Sequence, residues 1–509
     1  MAELQDIERV SSRKSQNDFV DVTVADSGEY AEYQALCDHF QGAALKRLHR
    51  KTDWRVLPPL FVIYMMTYVD RTNVGNAKLF GAQTDLKMDG TDWNIGLSLL
   101  FVTYALVGPF TNIFVKKYSA RRVLPLVFFG CGATIIGAGC SANRAQWFIL
   151  RLLLGVFEAA VYPGCVYFMT TWYSAEVITS RCSYFYLGAT CSGAVSGLLA
   201  YGIGQLDGHW GFRGWRWIYV LEGFISCILA FITIFWLQSD PQKPHKWLTE
   251  QEQRFIVLRN KYSYGKDKSG SNSEFTLKAY TAAFASPHVW VLGFAWFCYA
   301  AAIYGYSFTL PTIINNMGFT AVKAQELSTP PYFAAFFTVL ILGIYSDRLK
   351  SRALTIIVLS FISFVGLVIC YATAGHKHLV ALTYVGCMIA AIGFYPLTPM
   401  FTAWFSVQVA GPTKRAAALS CSNFFTQIGG IVGSNIYLAK QAPRYQAGFG
   451  TSFGLVLVGD IVIIAAYWWW IGRVNAKRAA MSEDEIRAKY SPEQLQEMGD
   501  KSPFFVYQR

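Results

Sequence analysis

The sequence predicts an all-α membrane protein of twelve transmembrane helices, arranged as two six-helix bundles. Three observations carry that reading. Apolar runs of about twenty residues recur along the whole chain, each long enough to cross a hydrocarbon core of ~30 Å. Only 15% of the 509 residues are charged, against 53% hydrophobic and 16% aromatic, whereas a soluble domain carries nearer ~25% charged residues. One long polar stretch, 239–287, divides the runs six and six. No water is available inside a bilayer, so each run must satisfy its own backbone hydrogen bonds as a helix. A membrane β-barrel would need short alternating strands, and the sequence pattern holds none.

Taken in order, residues 1–53 are polar and mixed in charge. They have no apolar core near Met1, so no cleavable signal peptide is expected and the first span directs insertion. The first bundle, 54–238, holds spans at about 56–80, 93–115, 122–141, 147–171, 183–205 and 215–238. The linker 239–287 follows, with DPQKPHKWLTEQEQ and GKDKSGSNSE. The second bundle, 288–472, holds spans at about 288–311, 327–346, 353–374, 379–405, 416–438 and 450–472. A polar tail, 473–509, ends the chain.

The net charge of +12 would suit nucleic acid, but its distribution does not. Basic residues gather between the apolar runs, as the positive-inside rule produces. Lys116, Lys117, Arg121 and Arg122 follow the second span; Arg348, Lys350 and Arg352 follow the eighth; GPTKR follows the tenth. Lys46, Arg47, Arg50, Lys51 and Arg55 surround the start of the first. With twelve spans all these segments share one side, so both tails and the linker are expected in the cytoplasm. The loops after spans two and eight occupy equivalent places, which is what a parallel six-helix repeat leaves behind. Cys131, Cys140, Cys165, Cys191, Cys227, Cys370 and Cys387 lie inside apolar runs, and no CxxC or Cys/His metal pattern occurs. They read as small packing residues, and no cofactor is expected.

Six ionisable residues stand inside apolar runs: Asp70, Arg71, Arg151, Glu158, Glu222 and Asp460. A charge at the bilayer centre costs about 2.5–3.5 kcal/mol or more. Arg151 and Glu158 are seven apart, two turns along one helix face. Asp70 and Arg71 are adjacent and so point about 100° apart; Asn73 and Asn76 follow them. These charges could simply neutralise one another between helices one and four. A transport path is the stronger reading, because apolar residues would pack two helices at lower cost. All seven histidines (39, 49, 209, 245, 288, 376, 378) lie in tails, in loops or at helix ends. A proton carried through the middle therefore needs a carboxylate, and Asp70 and Glu158 are the candidates. Arg71 and Arg151 cannot lose their protons, and the planar arginine fork matches a carboxylate bidentately. A small organic anion is the expected partner, with protons and the lipid bilayer.

Glu222, in GWRWIYVLEGF, sits near two arginines and reads as half of a structural ion pair. Asp460, in LVLVGDIVIIAAYWWW, has no evident partner; function and a tolerated acid stay open. Gly193/Gly197 and Gly429/Gly433 are four apart and allow close helix approach.

Five stretches carry a family resemblance: YVDRTNVGNAK (68–78), RLLLGVFEAAVYPG (151–164), GFRGWRWIYVLEGF (211–224), AGPTKRAA (410–417) and QIGGIVGSNIY (427–437). On these the chain resembles the anion:cation symporter family of the major facilitator superfamily, in its fungal allantoate and nicotinate permease branch, over roughly 45–475. The resemblance implies the major facilitator fold. It implies proton coupling at Asp70 and Glu158, and a transport path bearing Arg71 and Arg151, with Arg71 binding the anion. It adds Tyr104 in helix two as a cavity tyrosine and Asn423 as a polar position of helix eleven. The superfamily's cytoplasmic gate motif is degraded after span two, where KKYSARR lacks the Gly and Asp. Its counterpart GIYSDRLKSR keeps Gly343, Asp347, Arg348 and Arg352.

The expected function is proton-coupled uptake of a carboxylate such as nicotinate or allantoate, by a plasma-membrane monomer. The rivals are an exporter or drug:proton antiporter of the same fold, and a non-transporting nutrient sensor. Drug antiporters of this superfamily usually carry a Gly-Pro pair in helix five, which GATCSGAVSG lacks. Sensors often have enlarged tails; here these are about 55 and 37 residues by the spans above. No nucleotide loop, metal cluster or nucleophile motif points to an enzyme.

Loop charge yields the first prediction. Epitope tags at Met1 and Arg509 should stain only after permeabilisation; labelling of either on intact cells would overturn the topology.

Overall fold

The computed structural model describes residues 28–174, 177–263, 287–345, 351–408, 412–481, 483–491, 502–503 and 505–507. All regular structure among them is helical. Twelve long helices dominate. The first six are α1 (Ala43–Leu79), α2 (Gly90–Tyr118), α3 (Ala120–Cys140), α4 (Arg144–Glu158 continued by Val161–Trp172), α5 (Ile178–Gly204) and α6 (Gly214–Trp236). The second six are α7 (Pro287–Asn315), α8 (Ala321–Tyr345), α9 (Arg352–Thr373), α10 (Val380–Phe394 continued by Leu397–Val407), α11 (Pro412–Ile436) and α12. The last runs as Gln446–Leu455, a π-helical stretch Val456–Ile463, and Ile464–Ala479. The twelve expected spans fall on these twelve helices.

Among the described residues, eight of the helices are long and apolar enough to cross a membrane by length and composition. The remaining long helices, α1, α2, α8 and α11, turn polar residues inward. Asp70, Arg71, Asn73 and Asn76 are buried on α1, Thr111 on α2, Gln325, Ser328 and Thr329 on α8, and Ser422, Gln427 and Ser434 on α11. Outward-facing positions are apolar instead. Leu106, Phe110, Leu126, Phe231, Phe235, Phe337 and Phe361 are each more than half exposed. In water such a belt would drive aggregation, and in a bilayer it is the natural surface.

The same pairings recur six helices on. In the first half α1 packs on α5 and α6, α3 on α6, and α2 on α4. In the second, α7 packs on α11 and α12, α9 on α12, and α8 on α10. The halves meet along α5–α8 and α2–α11, with α1 touching α7. Helix backbones approach most closely where one side has no side chain. A Cβ built on Gly193 would lie 2.2 Å from the Tyr332 ring, and one on Gly430 2.6 Å from the Phe101 ring. The two glycine pairs therefore serve different contacts. Gly193 and Gly197 face α8 in the other half, while Gly429 and Gly433 face Phe297 and Ala301 on α7 in their own.

Outside the bundles, the helix Gly28–His39 lies beside the linker helix Glu250–Ser263. Arg254 pairs with Glu32 at 2.9 Å and with Glu29 at 3.3 Å, and the adjacent Phe40 stacks on Phe255 at 4.8 Å. Its guanidinium holds the exposed Glu32 carboxyl below the usual carboxylate range.

The glycine at the α5–α8 seam can be tested by size. Gly193→Leu should destabilise the protein by about 1–3 kcal/mol through overpacking, read as a lower thermal-unfolding midpoint in detergent. Tyr332→Ala should recover part of the loss; an unchanged midpoint for the single variant would refute the contact.

Candidate functional site

Between the halves lies a cavity of about 70 Å³, room for several waters. Tyr64, Tyr68 and Arg71 reach it from α1, Tyr104 from α2, Tyr162 from α4 and Tyr186 from α5. Trp296, Tyr299, Tyr304 and Ser307 reach it from α7, Tyr395 and Thr398 from α10, and Asn423, Thr426 and Gln427 from α11. Among the described residues Arg71 is its one charged lining group. Hydroxyls tie the halves across it: Tyr186 donates to Thr398 Oγ1 at 2.8 Å, and Tyr162 and Thr402 share a bond of 3.3 Å.

Arg71 is 7% exposed. Its Nε donates to Glu158 Oε1, and its Nη1 donates to Tyr304 OH at 2.9 Å. The rings of Tyr68 and Tyr104 flank it at 5.0 and 5.2 Å. Each such cation–π contact contributes about 0.5–2 kcal/mol, more when dry. Glu158 ends the first segment of α4, with two residues between it and the second segment at Val161. Tyr304 belongs to the other half. One guanidinium thus spans both bundles.

Asp70 points elsewhere, as the 100° offset requires. It is fully buried, and neither carboxylate oxygen has a hydrogen-bond partner among the described residues. Its charged neighbours are Glu158 and Arg151, with Glu222 on α6. One turn on, Ser196 Oγ donates to Asn73 Oδ1 at 2.9 Å and accepts from Asn76 Nδ2 at 2.8 Å, pinning α1 to α5.

Arg151 is 2% exposed and donates through Nη2 to Tyr219 OH at 2.9 Å, with its guanidinium 4.7 Å from the Trp147 ring. It does not line the cavity. Tyr104 and Asn423 do, and Gln427 Nε2 donates to Asn423 Oδ1 at 3.1 Å. Of the gate motif, Gly343 lies in the last turns of α8, where a Cβ would come 3.2 Å from Ser183 on α5. Arg352 opens α9. Asp347 and Arg348 fall outside the described residues.

Glu222 corrects the expectation of an ion pair. Arg213 binds Asp85 at 2.9 Å, and Arg216 donates to the carbonyls of Gly139 and Ser141 at 2.9 Å. Both Glu222 oxygens are buried without a hydrogen-bond partner among the described residues. Asp460 is likewise buried and unpartnered, in the π-helical stretch of α12 near Cys298 on α7.

Sequence reasoning did not find the tyrosines of the cavity other than Tyr104, or Tyr304 as a partner of Arg71. Tyr64, Tyr68 and Arg71 share one face of α1 by their spacing of four and three, which was a readable signal. The facing tyrosines of α7 carry no such mark.

A buried cation framed by hydroxyls between two pseudo-equivalent six-helix halves is the architecture of a secondary transporter. The chain belongs to the Major Facilitator Superfamily, whose family model matches residues 60–434. It is 35% identical over 495 residues to the MFS-type transporter cnsO of Penicillium expansum, covering 95% of each chain. It is 27% identical over 463 residues to the high-affinity nicotinic acid transporter of Saccharomyces cerevisiae, covering 91% of this chain and 84% of that one. A bacterial homolog to the human lysosomal transporter Spinster, inward-facing and unoccupied, matches with a TM-score of 0.59 at 16% identity, over 82% of this chain and 96% of that one. That likeness speaks to the fold.

The bond between Arg151 and Tyr219 generates a prediction. Tyr219→Phe leaves the buried guanidinium short of an acceptor and should cost about 1–3 kcal/mol of stability, lowering the unfolding midpoint while the apparent affinity of transport stays put. An affinity change with an intact midpoint would place Tyr219 on the transport path instead.

Proposed function

We propose that the chain is a proton-coupled importer of a small organic anion, working by alternating access as a plasma-membrane monomer with both termini in the cytoplasm. This places it in the anion:cation symporter family, near the fungal allantoate and nicotinate permeases. One observation carries the reading: Arg71, the charged lining group of the cavity, is held by Glu158.

Arg71 presents a planar fork suited to a carboxylate. The surrounding tyrosines offer flat apolar faces and hydroxyls, which suits a carboxylate on a compact ring. The nicotinic acid transporter among the relatives agrees with that class.

Glu158 and the substrate would compete for one guanidinium. A proton arriving from an acidic outside neutralises Glu158 and frees Arg71 for the anion. The loaded site is then closer to neutral, which lowers the cost of closing it away from water. Loss of the proton toward the cytoplasm restores the carboxylate, which displaces the anion. Asp70, beside Arg151 and Glu158, is the second proton carrier, and Arg151 its fixed counter-charge. In this reading Arg151 acts on the path from behind the cavity.

The test begins with uptake of labelled carboxylates by expressing cells at acid and neutral pH, where acidification outside should raise uptake. Arg71→Lys keeps the charge and loses the fork, and should weaken apparent affinity on the order of tenfold. Glu158→Gln should retain counterflow but lose accumulation. Accumulation driven by a pH step in both Glu158→Gln and Asp70→Asn would exclude these acids as carriers.

A further inference from the structure

A second concavity lies on the outer face of the first half, at the end of the bundle where α2 stops and α3 begins. It measures about 880 Å³. Its charged lining residues are all basic: Lys117 at the end of α2, Arg121 and Arg122 in the first turn of α3, and Lys243 beyond α6. The nearest acid in sequence, Asp240, accepts the Gln242 backbone N–H at 3.0 Å and does not line the groove. Arg121 Nη1 donates to Ser239 Oγ at 2.6 Å, which joins the α3 rim to the segment after α6. Ser119 precedes α3 without a side-chain cap, so the positive end of that helix adds to the same field.

Below the cations the walls turn apolar. Leu126 and Phe129 descend from α3, and Phe231, Ile234 and Phe235 from α6. All five are exposed, Phe235 by 72%. A site with a cationic mouth and a phenylalanine-lined trough along the lipid-facing surface has the form of one amphiphile: an anionic head joined to hydrocarbon chains.

We propose that this groove binds an anionic glycerophospholipid, its phosphate against Arg121, Arg122, Lys117 and Lys243 and an acyl chain along the α3–α6 trough. Loop charge that only sets topology would need no concavity, and no bond closing its rim. The degraded KKYSARR loop fits the same use. The Asp that the superfamily motif places there would repel a phosphate, and its loss leaves the cations free. The site is separate from the central cavity and depends only on the proposed orientation, which puts it in the cytoplasmic leaflet, where anionic lipids concentrate.

The full chain, purified in mild detergent, is titrated with phosphatidylserine or with phosphatidylcholine of the same chains, and bound lipid is read by native mass spectrometry. Phosphatidylserine should bind at least tenfold more tightly. Each lost cation should weaken it about fivefold, so the R121Q/R122Q/K243Q variant falls on the order of a hundredfold. Lys46→Gln with Arg47→Gln, exposed at the same end, should change little. Phe231→Ala with Phe235→Ala should weaken the lipid while leaving glycerophosphoserine, the chainless head, as weak a competitor as before. Because every substituted side chain is exposed, unfolding midpoints should stay level. Equal binding of the two lipids, full retention by the triple variant, an equal loss in the Lys46/Arg47 control, or competition by glycerophosphoserine as strong as by the lipid would each overturn the proposal.

Discussion

A guanidinium cannot be left alone in a bilayer. Arg71 stays charged at any physiological pH, and breaking a buried pair by deleting one partner costs about 3–5 kcal/mol. Its surroundings follow from that constraint. Glu158 supplies the counter-charge from α4, Tyr304 an acceptor from α7, and Tyr68 and Tyr104 two ring faces. The arrangement fixes the rotation of α1, which sends Asp70 the other way into the first bundle. That bundle then has to accommodate Asp70 beside Arg151 and Glu222, and its polar interior grows out from a single position on one helix.

The seams between the halves answer to a different constraint. Without water to squeeze out, helices in lipid associate through close packing and interhelical hydrogen bonds. Glycines at 193, 197 and 430 let rings and carbonyls of the other half come close, and Ser98 meets Ser434 at 2.9 Å beside them. Small residues at these crossings let the two halves approach closely around the shared cavity.

The helices were legible because twenty apolar residues in a row admit one solution in a bilayer. Asp70, Arg71, Arg151 and Glu158 were legible because charge there is costly. What the sequence left unread is direction. Seven residues of separation put Arg151 and Glu158 on one face but about 10 Å apart along it, so Glu158 meets Arg71 on α1 while Arg151 meets Tyr219 on α6. Proximity in sequence suggested arginines for Glu222, but Arg213 and Arg216 lie at the helix mouth, where Asp85 and main-chain carbonyls satisfy them. Most of the tyrosines were hidden by abundance: with 29 in the chain, spacing marked only Tyr64 and Tyr68, by sharing a face with Arg71, and nothing marked those that meet them from α7. Gly429 and Gly433 were read together with Gly193 and Gly197, although one pair holds a half together and the other joins two halves.

The helix pairings repeat from one half to the other, but the charges do not. Asp70, Arg71, Arg151, Glu158 and Glu222 are all buried in the first half, whereas the second half lines the cavity with aromatic rings, hydroxyls and amides. After an ancestral duplication, that asymmetry would divide the labour between the copies. The charged copy becomes an inherited engine in which each substitution must be matched by another. The second copy, whose buried acid Asp460 stands away from the cavity, can exchange a tyrosine for a phenylalanine or an asparagine for a serine one step at a time, and new cargo specificities would be expected to arise there first.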